Sequence, residues 1–135
     1  MSIPNPVWVM TNGCFDGLHI GHILHLAHAA KWGDRLVVAL TADGFVNKGP
    51  GRPHFKSYQR REHLMELRCV DHVIIVNDVL DAMAEITPDI FVKGNEYEGK
   101  IEPRHMDYFT AHSIEVRFTY TPKFSSTTLL SDRPR

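Results

Sequence analysis

Two histidines three residues apart, His19 and His22, follow the turn-rich stretch Asn12-Gly-Cys-Phe-Asp-Gly-Leu-His19 and lie beside Asp16. Three chemistries suit these residue types. Imidazoles at i and i+3 share one face of a helical turn and can ligate a metal. A cysteine at a strand-to-helix turn, here Cys14, can act as a nucleophile. A helix N-terminus presents unpaired N–H groups and a positive dipole end, which favour an anion. Imidazole N–H groups beside such an end can grip phosphate oxygens where charge develops during transfer. The glycines weigh toward phosphate. Gly13 permits close backbone approach, and Gly21 leaves room between the two imidazoles. No Cys-rich or Glu-rich segment elsewhere in the chain completes a zinc set. The spacing is neither that of a P-loop nor G-x-G-x-x-G.

Strands and helices alternate around this stretch. Val7–Thr11 is a short apolar run ending in turn residues, which predicts a buried strand. Apolar positions at 20, 23, 24, 27 and 30 give a helical period over Ile20–Trp32, stopped by Gly33-Asp34. Arg35–Thr41 reads as a second buried strand. Lys48-Gly-Pro-Gly-Arg-Pro53 must be a loop, because two prolines and two glycines punctuate it. A helix is expected over Ser57–Arg68 with Ser57 as its N-cap, then a strand at His72–Val76. A short helix over Leu80–Ile86 ends at Thr87-Pro88. Ile90–Lys93 is a fourth strand. Pro103 suits the first turn of a helix over Glu102–His112, and Ile114–Tyr120 alternates like a fifth strand. A last, very short helical segment opens at Ser125. The pattern predicts a three-layer, Rossmann-like α/β fold with a five-stranded, mostly parallel sheet. Ligands bind beyond the carboxyl ends of such strands. The functional residues should therefore follow Thr11, Thr41, Lys93 and Tyr120.

Bulk properties bound the function. The chain has 135 residues, which suits one domain over 1–135 with a sizeable core. A formal charge of -1 gives no basic field for nucleic acid. No apolar run approaches the roughly 20 residues needed to span a bilayer. The opening Met1–Pro6 lacks signal-peptide character. Cys14 and Cys69 are too few for a disulfide framework, so a reducing cytoplasm is expected. Cys69 is expected in the core. His25 and His28, which continue the three-residue rhythm, are expected in structural or solvated roles.

Gly13-Cys-Phe-Asp-Gly-Leu-His-Ile-Gly-His22 resembles the G-x-F-D-x-x-H-x-G-H signature of the cytidylyltransferase-like nucleotidyltransferases. Lys93-Gly-Asn-Glu-Tyr97 resembles their later K-G-x-D-Y element, Ser125-Ser-Thr-Thr128 their closing element, and Val70-Asp71 their V-D ahead of a strand. The resemblance covers nearly the whole chain. It implies transfer of a nucleotidyl group from an NTP to a phosphorylated acceptor, with direct attack on the α-phosphorus and release of pyrophosphate. Catalysis is then mostly positioning and charge stabilisation.

On that resemblance His19, His22 and Lys48 carry the chemistry. Asn12, Gly13, Cys14, Phe15, Asp16, Gly21, Lys93, Gly94 and Glu96 line the nucleotide site. Ser125, Ser126, Thr127 and Thr128 offer hydroxyls and helix N–H groups to the outer phosphates. Arg60 and Arg68 each have two readings: Arg60 a phosphate contact or a structural ion pair, Arg68 a contact to the base or a surface charge. Arg52 is a loop charge or a phosphate contact. Mg²⁺ arrives with the NTP, carried by phosphates and water, with no dedicated protein metal site. Members of the family are often dimers, so the resemblance allows a homodimer while the residues leave the oligomeric state open; neither nucleic acid nor a membrane is expected as partner.

Met10–Asp16, Gly33–Ala39, Lys48–Pro53 and Val92–Gly94 resemble adenylyltransferase domains of the ADP-heptose synthase type, which implies ATP and heptose 1-phosphate. Arg68-Cys-Val-Asp71 and Glu98-Gly-Lys100 resemble glycerol-3-phosphate cytidylyltransferases, which implies CTP and a polyol phosphate. Glu96 stands where the family has Asp, and Lys123 is the only cation just ahead of the last motif. The short run from Leu129 leaves little length for a final helix. Two other classes remain: a non-catalytic nucleotide-binding module, and a structural protein with a metal-stapled histidine face.

Overall fold

A computed structural model describes residues 4–120; Lys123 and the motif Ser125–Thr128 lie outside the described residues. The element order is β1 (Trp8–Gly13), α1 (Ile20–Ala30), β2 (Arg35–Thr41), α2 (Ser57–Met65), β3 (His72–Val76), α3 (Val79–Glu85), β4 (Ile90–Gly94), α4 (Pro103–Ala111) and β5 (Glu115–Thr119). The sheet order is β3-β2-β1-β4-β5, and all four pairings are parallel. This is a three-layer, Rossmann-like α/β fold.

Period-two alternation divides the sheet's side chains between two cores. Val9, Leu36, Val38, Leu40, Val73 and Val92 pack with Leu26 of α1 and Leu64 of α2. Met10, Val37, Ala39, Ile74 and Phe91 pack with Met83 of α3 and Phe109 of α4. Helices α1 and α2 thus cover one face and α3 and α4 the other. β1 sits where the chain order reverses, with β2 on one side and β4 on the other. That is the topological switch point at which an open parallel sheet binds its ligand.

Pairing extends β1 past its expected end: Asn12 and Gly13 align with Ala39 and Leu40 of β2. Helix α4 is one residue shorter at each end than expected, and α1 and α2 stop well before the periodicity predicts. After Ala30, the N–H of Lys31 bonds the His28 carbonyl, an i−3 closure that tightens the end of α1. After Met65, the Leu67 N–H bonds the Leu64 carbonyl and the chain turns toward β3. Ser57 is the first helical residue of α2 rather than its cap. The N-cap is Lys56, whose N–H donates to Gln59 Oε1 at 3.0 Å.

Arg60 is the largest fully buried side chain. Its Nε donates to the Phe55 carbonyl at 2.9 Å, one terminal nitrogen to the Cys14 carbonyl at 2.8 Å, and the other to Asp43 Oδ1 at 2.8 Å. The hydrogen bond from Arg60 holds the Asp43 carboxyl below its usual value. One guanidinium therefore ties the β1–α1 turn to both ends of the β2–α2 loop, which is the structural one of its two sequence readings. Arg60→Met keeps comparable bulk but strips these acceptors of their donor. It should lower the unfolding free energy by about 3 kcal/mol in a urea titration; a loss below about 1 kcal/mol would show that the brace is dispensable.

Candidate active site

The turn after β1 is held in an unusual conformation. Phe15 has φ +45° and Gly17 φ +93°, both in the left-handed region. A side chain placed on Gly13 would meet the Phe15 ring at 2.9 Å, so glycine is needed there for Phe15 to fold back beneath the turn. Phe15 is buried, and its ring packs edge-on against His22 at 5.4 Å.

His19 is the N-cap of α1. Its Nδ1 accepts the Gly21 N–H at 3.0 Å, as a Ser or Asp oxygen does at an ordinary cap. His22 completes the box: its Nδ1 accepts the His19 N–H at 3.3 Å. The two rings stack with centroids 3.9 Å apart. A ring nitrogen that accepts a backbone N–H carries no proton, so this hydrogen-bond pattern assigns each ring proton to Nε2. Burial, followed by the neighbouring His19, Lys48 and His25, pushes the His22 imidazole down to about 4. At neutral pH it is an uncharged Nε2–H donor at the positive end of a helix.

A cleft of about 380 Å³ opens beyond β1 and β4. Of the residues singled out in the sequence, Asn12, Gly13, Cys14, Phe15, His19, Gly21, His22, Lys48, Lys93, Gly94 and Glu96 line it. Lys93 donates to Asn12 Oδ1 at 2.8 Å and to the Asn12 carbonyl at 3.3 Å, and lies 4.0 Å over the Tyr97 ring. Burial lowers its ammonium to about 8, against the opposing pull of Glu96 and Cys14. Glu96 folds back over Gly94, where a Cβ would come within 2.6 Å of both carboxylate oxygens. Lys48 reaches the cleft from an exposed loop between Asp43 and Ser57.

Asp16 does not line the cleft. Its side chain is fully enclosed; it accepts Arg52 Nε at 2.7 Å and the N–H groups of His54 at 2.7 Å and Phe55 at 2.9 Å. Burial raises its carboxyl, but these three hydrogen bonds and the Arg52 charge outweigh it and bring the group to about 2. Asp16 and Arg52 therefore fasten the Lys48 loop onto the turn. Arg60, absent from the lining, braces the same turn from below. Arg68 is exposed in the connection between α2 and β3, at the amino edge of the parallel sheet. The structure does not bring it to the cleft, which lies at the carboxyl edge. Cys69 is half-buried against the first core.

Sequence reasoning passed over two lining residues, His25 and Tyr97. The three-residue rhythm from His19 placed His25 on the right helix face. Its ring bridges two buried hydroxyls, Thr11 Oγ1 at 3.0 Å and Thr119 Oγ1 at 2.7 Å, joining β1 to β5 across β4. Burial, followed by Lys93 with Glu96 opposing, lowers it to about 4. It is neutral and satisfied, as a structural histidine is, and it also walls the cleft. Among the described residues no group of three His, Cys, Asp or Glu side chains could hold a metal ion, and no helix is long and apolar enough to cross a membrane.

A parallel α/β sheet, a helix N-terminus capped by two imidazoles and two lysines lining one cleft suit the binding of a phosphorylated ligand. The chain belongs to the cytidylyltransferase-like family, whose model matches residues 10–130. It is 47% identical over 113 residues to the bifunctional protein HldE of Aeromonas salmonicida, covering 81% of this chain and 24% of that protein. It is 42% identical over 131 residues to the HldE of Azotobacter vinelandii, covering 94% and 27%. The chain thus spans about a quarter of the length of these curated relatives. A lipopolysaccharide core biosynthesis protein from Thermoplasma volcanium superposes with TM-score 0.72 at 30% identity, covering 90% of this chain and 100% of that one. A pantothenate synthetase from Thermus thermophilus, at TM-score 0.60 and 14% identity, shares the fold, covering 85% of this chain and 55% of that one.

Lys93 gives this site a pH signature. Its ammonium loses charge as pH rises through about 8, so a nucleoside triphosphate held by it should bind more weakly above that pH. In calorimetry from pH 6.5 to 9.5 the wild type should show a break in log Kd near 8. Lys93→Met should bind more weakly at pH 7 and show no such break; a break of equal size in the variant would assign the titration to another group.

Proposed function

We propose that this chain transfers an adenylyl group from ATP to heptose 1-phosphate in the cytoplasm and releases pyrophosphate. The observation that carries the reading is the pair of Nε2–H donors fixed at the N-terminus of α1, inside a cleft that also holds Lys48 and Lys93. An oxygen of the acceptor phosphate attacks the α-phosphorus. The bond from the α-phosphorus to the bridging oxygen breaks, and pyrophosphate leaves with the electron pair. No enzyme nucleophile is required, so Cys14 serves as a small lining residue. The imidazole donors and the N-terminal N–H groups of α1 receive the oxygens on which negative charge grows. Lys93, held by Asn12, and Lys48, carried by its loop, add positive charge over the phosphates.

The cleft has one free carboxylate among its described lining residues, that of Glu96, while Asp16 is occupied by Arg52 and two N–H groups. This donor set fits Mg²⁺ held mainly by phosphates and water, and Glu96 would offer it the cleft's carboxylate. When bound, the ion neutralises phosphate charge. Similarity to HldE proteins and to a protein of lipopolysaccharide core biosynthesis supports a sugar acceptor. The alternative, CTP with glycerol 3-phosphate, drew on Arg68-Cys-Val-Asp71 and on Glu98-Gly-Lys100. Arg68 lies at the far edge of the sheet, which weakens the first of these two supports.

With ATP, Mg²⁺ and heptose 1-phosphate, pyrophosphate should form with one equivalent of nucleotide sugar. His22→Ala should cut kcat by about 100-fold, the usual cost of one transition-state donor, while the protein stays folded by circular dichroism. Near-normal turnover in that variant would remove His22 from the chemistry. Absence of transfer with every NTP would favour a binding module.

A further inference from the structure

Helix α1 is anchored unevenly. Its two fully buried residues, Leu26 and Ala29, both lie in its second half. In the first half Ile20 and Ile23 are exposed, Gly21 has no side chain and Leu24 is only half-buried. Yet that half starts at the His19 cap and carries His22. Phe15 meets His22 from the turn, but no fully buried apolar side chain of this half ties it to the strands. Apolar packing is also non-directional, whereas a hydrogen bond fixes both distance and angle.

His25 supplies that fix. It follows His22 by one turn on the same helix face. Its Nε2 lies 3.0 Å from Thr11 Oγ1 and its Nδ1 2.7 Å from Thr119 Oγ1. Both threonines are fully buried, and among the described residues neither hydroxyl has another partner. A neutral imidazole has one donor and one acceptor, and a hydroxyl can take either role, so both bonds are satisfied in either tautomer. Thr11 pairs with Val92 of β4, and Thr119 with Gly94. The ring therefore spans β4 over the stretch whose middle residue is Lys93. One side chain ties α1, β1 and β5 around the strand that carries the lysine of the cleft. The charged and titratable groups facing it are Lys93 and Glu96 from β4 and the turn after it, and His22 and His28 from its own helix. Burial, followed by Lys93, keeps the ring uncharged at neutral pH, so the tie does not change with pH in that range.

We infer that His25 is a positioning residue for the transfer reaction: its paired hydrogen bonds set where His22, one turn earlier on α1, stands relative to Lys93 of β4. The inference rests on the transferase reading above. His25 has no ring nitrogen left for a phosphate, so it acts through its neighbours. Binding of the nucleotide in its ground state is shared among two lysines, two imidazoles and the N–H groups of α1, and it tolerates a small shift of one of them. Stabilisation of the transition state does not, since a misplacement of about 1 Å can cost on the order of 100-fold in rate. Loss of the tie should therefore fall on kcat and spare ATP affinity.

The test separates positioning from stability. Pyrophosphate release with ATP, Mg²⁺ and heptose 1-phosphate is compared for wild type, His25→Leu, His25→Gln and the triple variant Thr11→Val, His25→Leu, Thr119→Val. Unfolding in urea and ATP binding by calorimetry are measured on each. His25→Leu orphans two buried hydroxyls and should lower both stability and kcat. The triple variant makes all three partners apolar at similar shape and should regain stability. Its kcat should stay about 10-fold or more below wild type, with the Kd of ATP within about threefold. His25→Gln keeps one donor and one acceptor on a side chain of comparable reach and should hold kcat within about threefold of wild type. Wild-type turnover in the triple variant overturns the inference, because stability was then all that the tie supplied. A His25→Gln variant no faster than His25→Leu overturns it too, as does a Kd of ATP that weakens in step with kcat. If the wild type transfers to neither heptose 1-phosphate nor glycerol 3-phosphate with any NTP, the transferase reading has failed first and the positioning role falls with it.

Discussion

Two backbone-to-imidazole hydrogen bonds at the start of α1 set the character of the whole site. Most helices cap their first N–H groups with a hydroxyl or carboxylate. Here His19 Nδ1 takes the Gly21 N–H and His22 Nδ1 takes the His19 N–H. The same bonds that cap the helix also choose the tautomer of the two rings. Capping energy, typically about 1 kcal/mol for a side chain, is thereby coupled to chemistry. The rings cannot rotate to present Nδ1 to a ligand without uncapping α1. Burial that depresses His22 keeps it neutral, so it donates a proton-bearing nitrogen without first competing with solvent for protonation.

This arrangement needs a turn that holds its shape, and the sequence spends several charged residues on that. Arg60 reaches from α2 to the Cys14 carbonyl, and Asp16 reaches from the turn to the Arg52 side chain and the His54 and Phe55 N–H groups. The two groups are of opposite sign and face opposite ways, so the turn is clamped both from below and from the loop. His25 adds a third tie, from α1 to β1 and β5. The strained φ at Phe15 is tolerated because these contacts over-determine the turn. Lys48, at an exposed loop position, is tethered through Arg52 and Asp16 and has no hydrogen-bond partner of its own among the described residues.

Much of this was legible in the residues. Arg35–Thr41 and His72–Val76 are strands with the bounds that apolar runs and turn residues implied. The carboxyl-edge rule for parallel sheets puts the cleft where it lies, beyond β1 and β4. Other features were not local and so were hidden. Strand β1 runs to Gly13 because β2 pairs with it, which no propensity of Asn12 or Gly13 would suggest. Arg60 and Arg68 differ by eight positions and look alike in sequence; only the turn at the end of α2 buries one under the site and carries the other to the opposite edge. Asp16 belongs to the signature, yet its partners are 36 to 39 residues away, so its clamping role depends on tertiary structure.

The most direct test of the account is the tautomeric state of the two histidines. In protein labelled with ¹⁵N at histidine, long-range ¹H–¹⁵N correlation at neutral pH assigns each ring proton to Nδ1 or Nε2. The account predicts Nε2–H for both His19 and His22, with both Nε2 resonances moving when ATP and Mg²⁺ are added. An Nδ1–H tautomer at either ring, or rings unmoved by a saturating nucleotide, would contradict it.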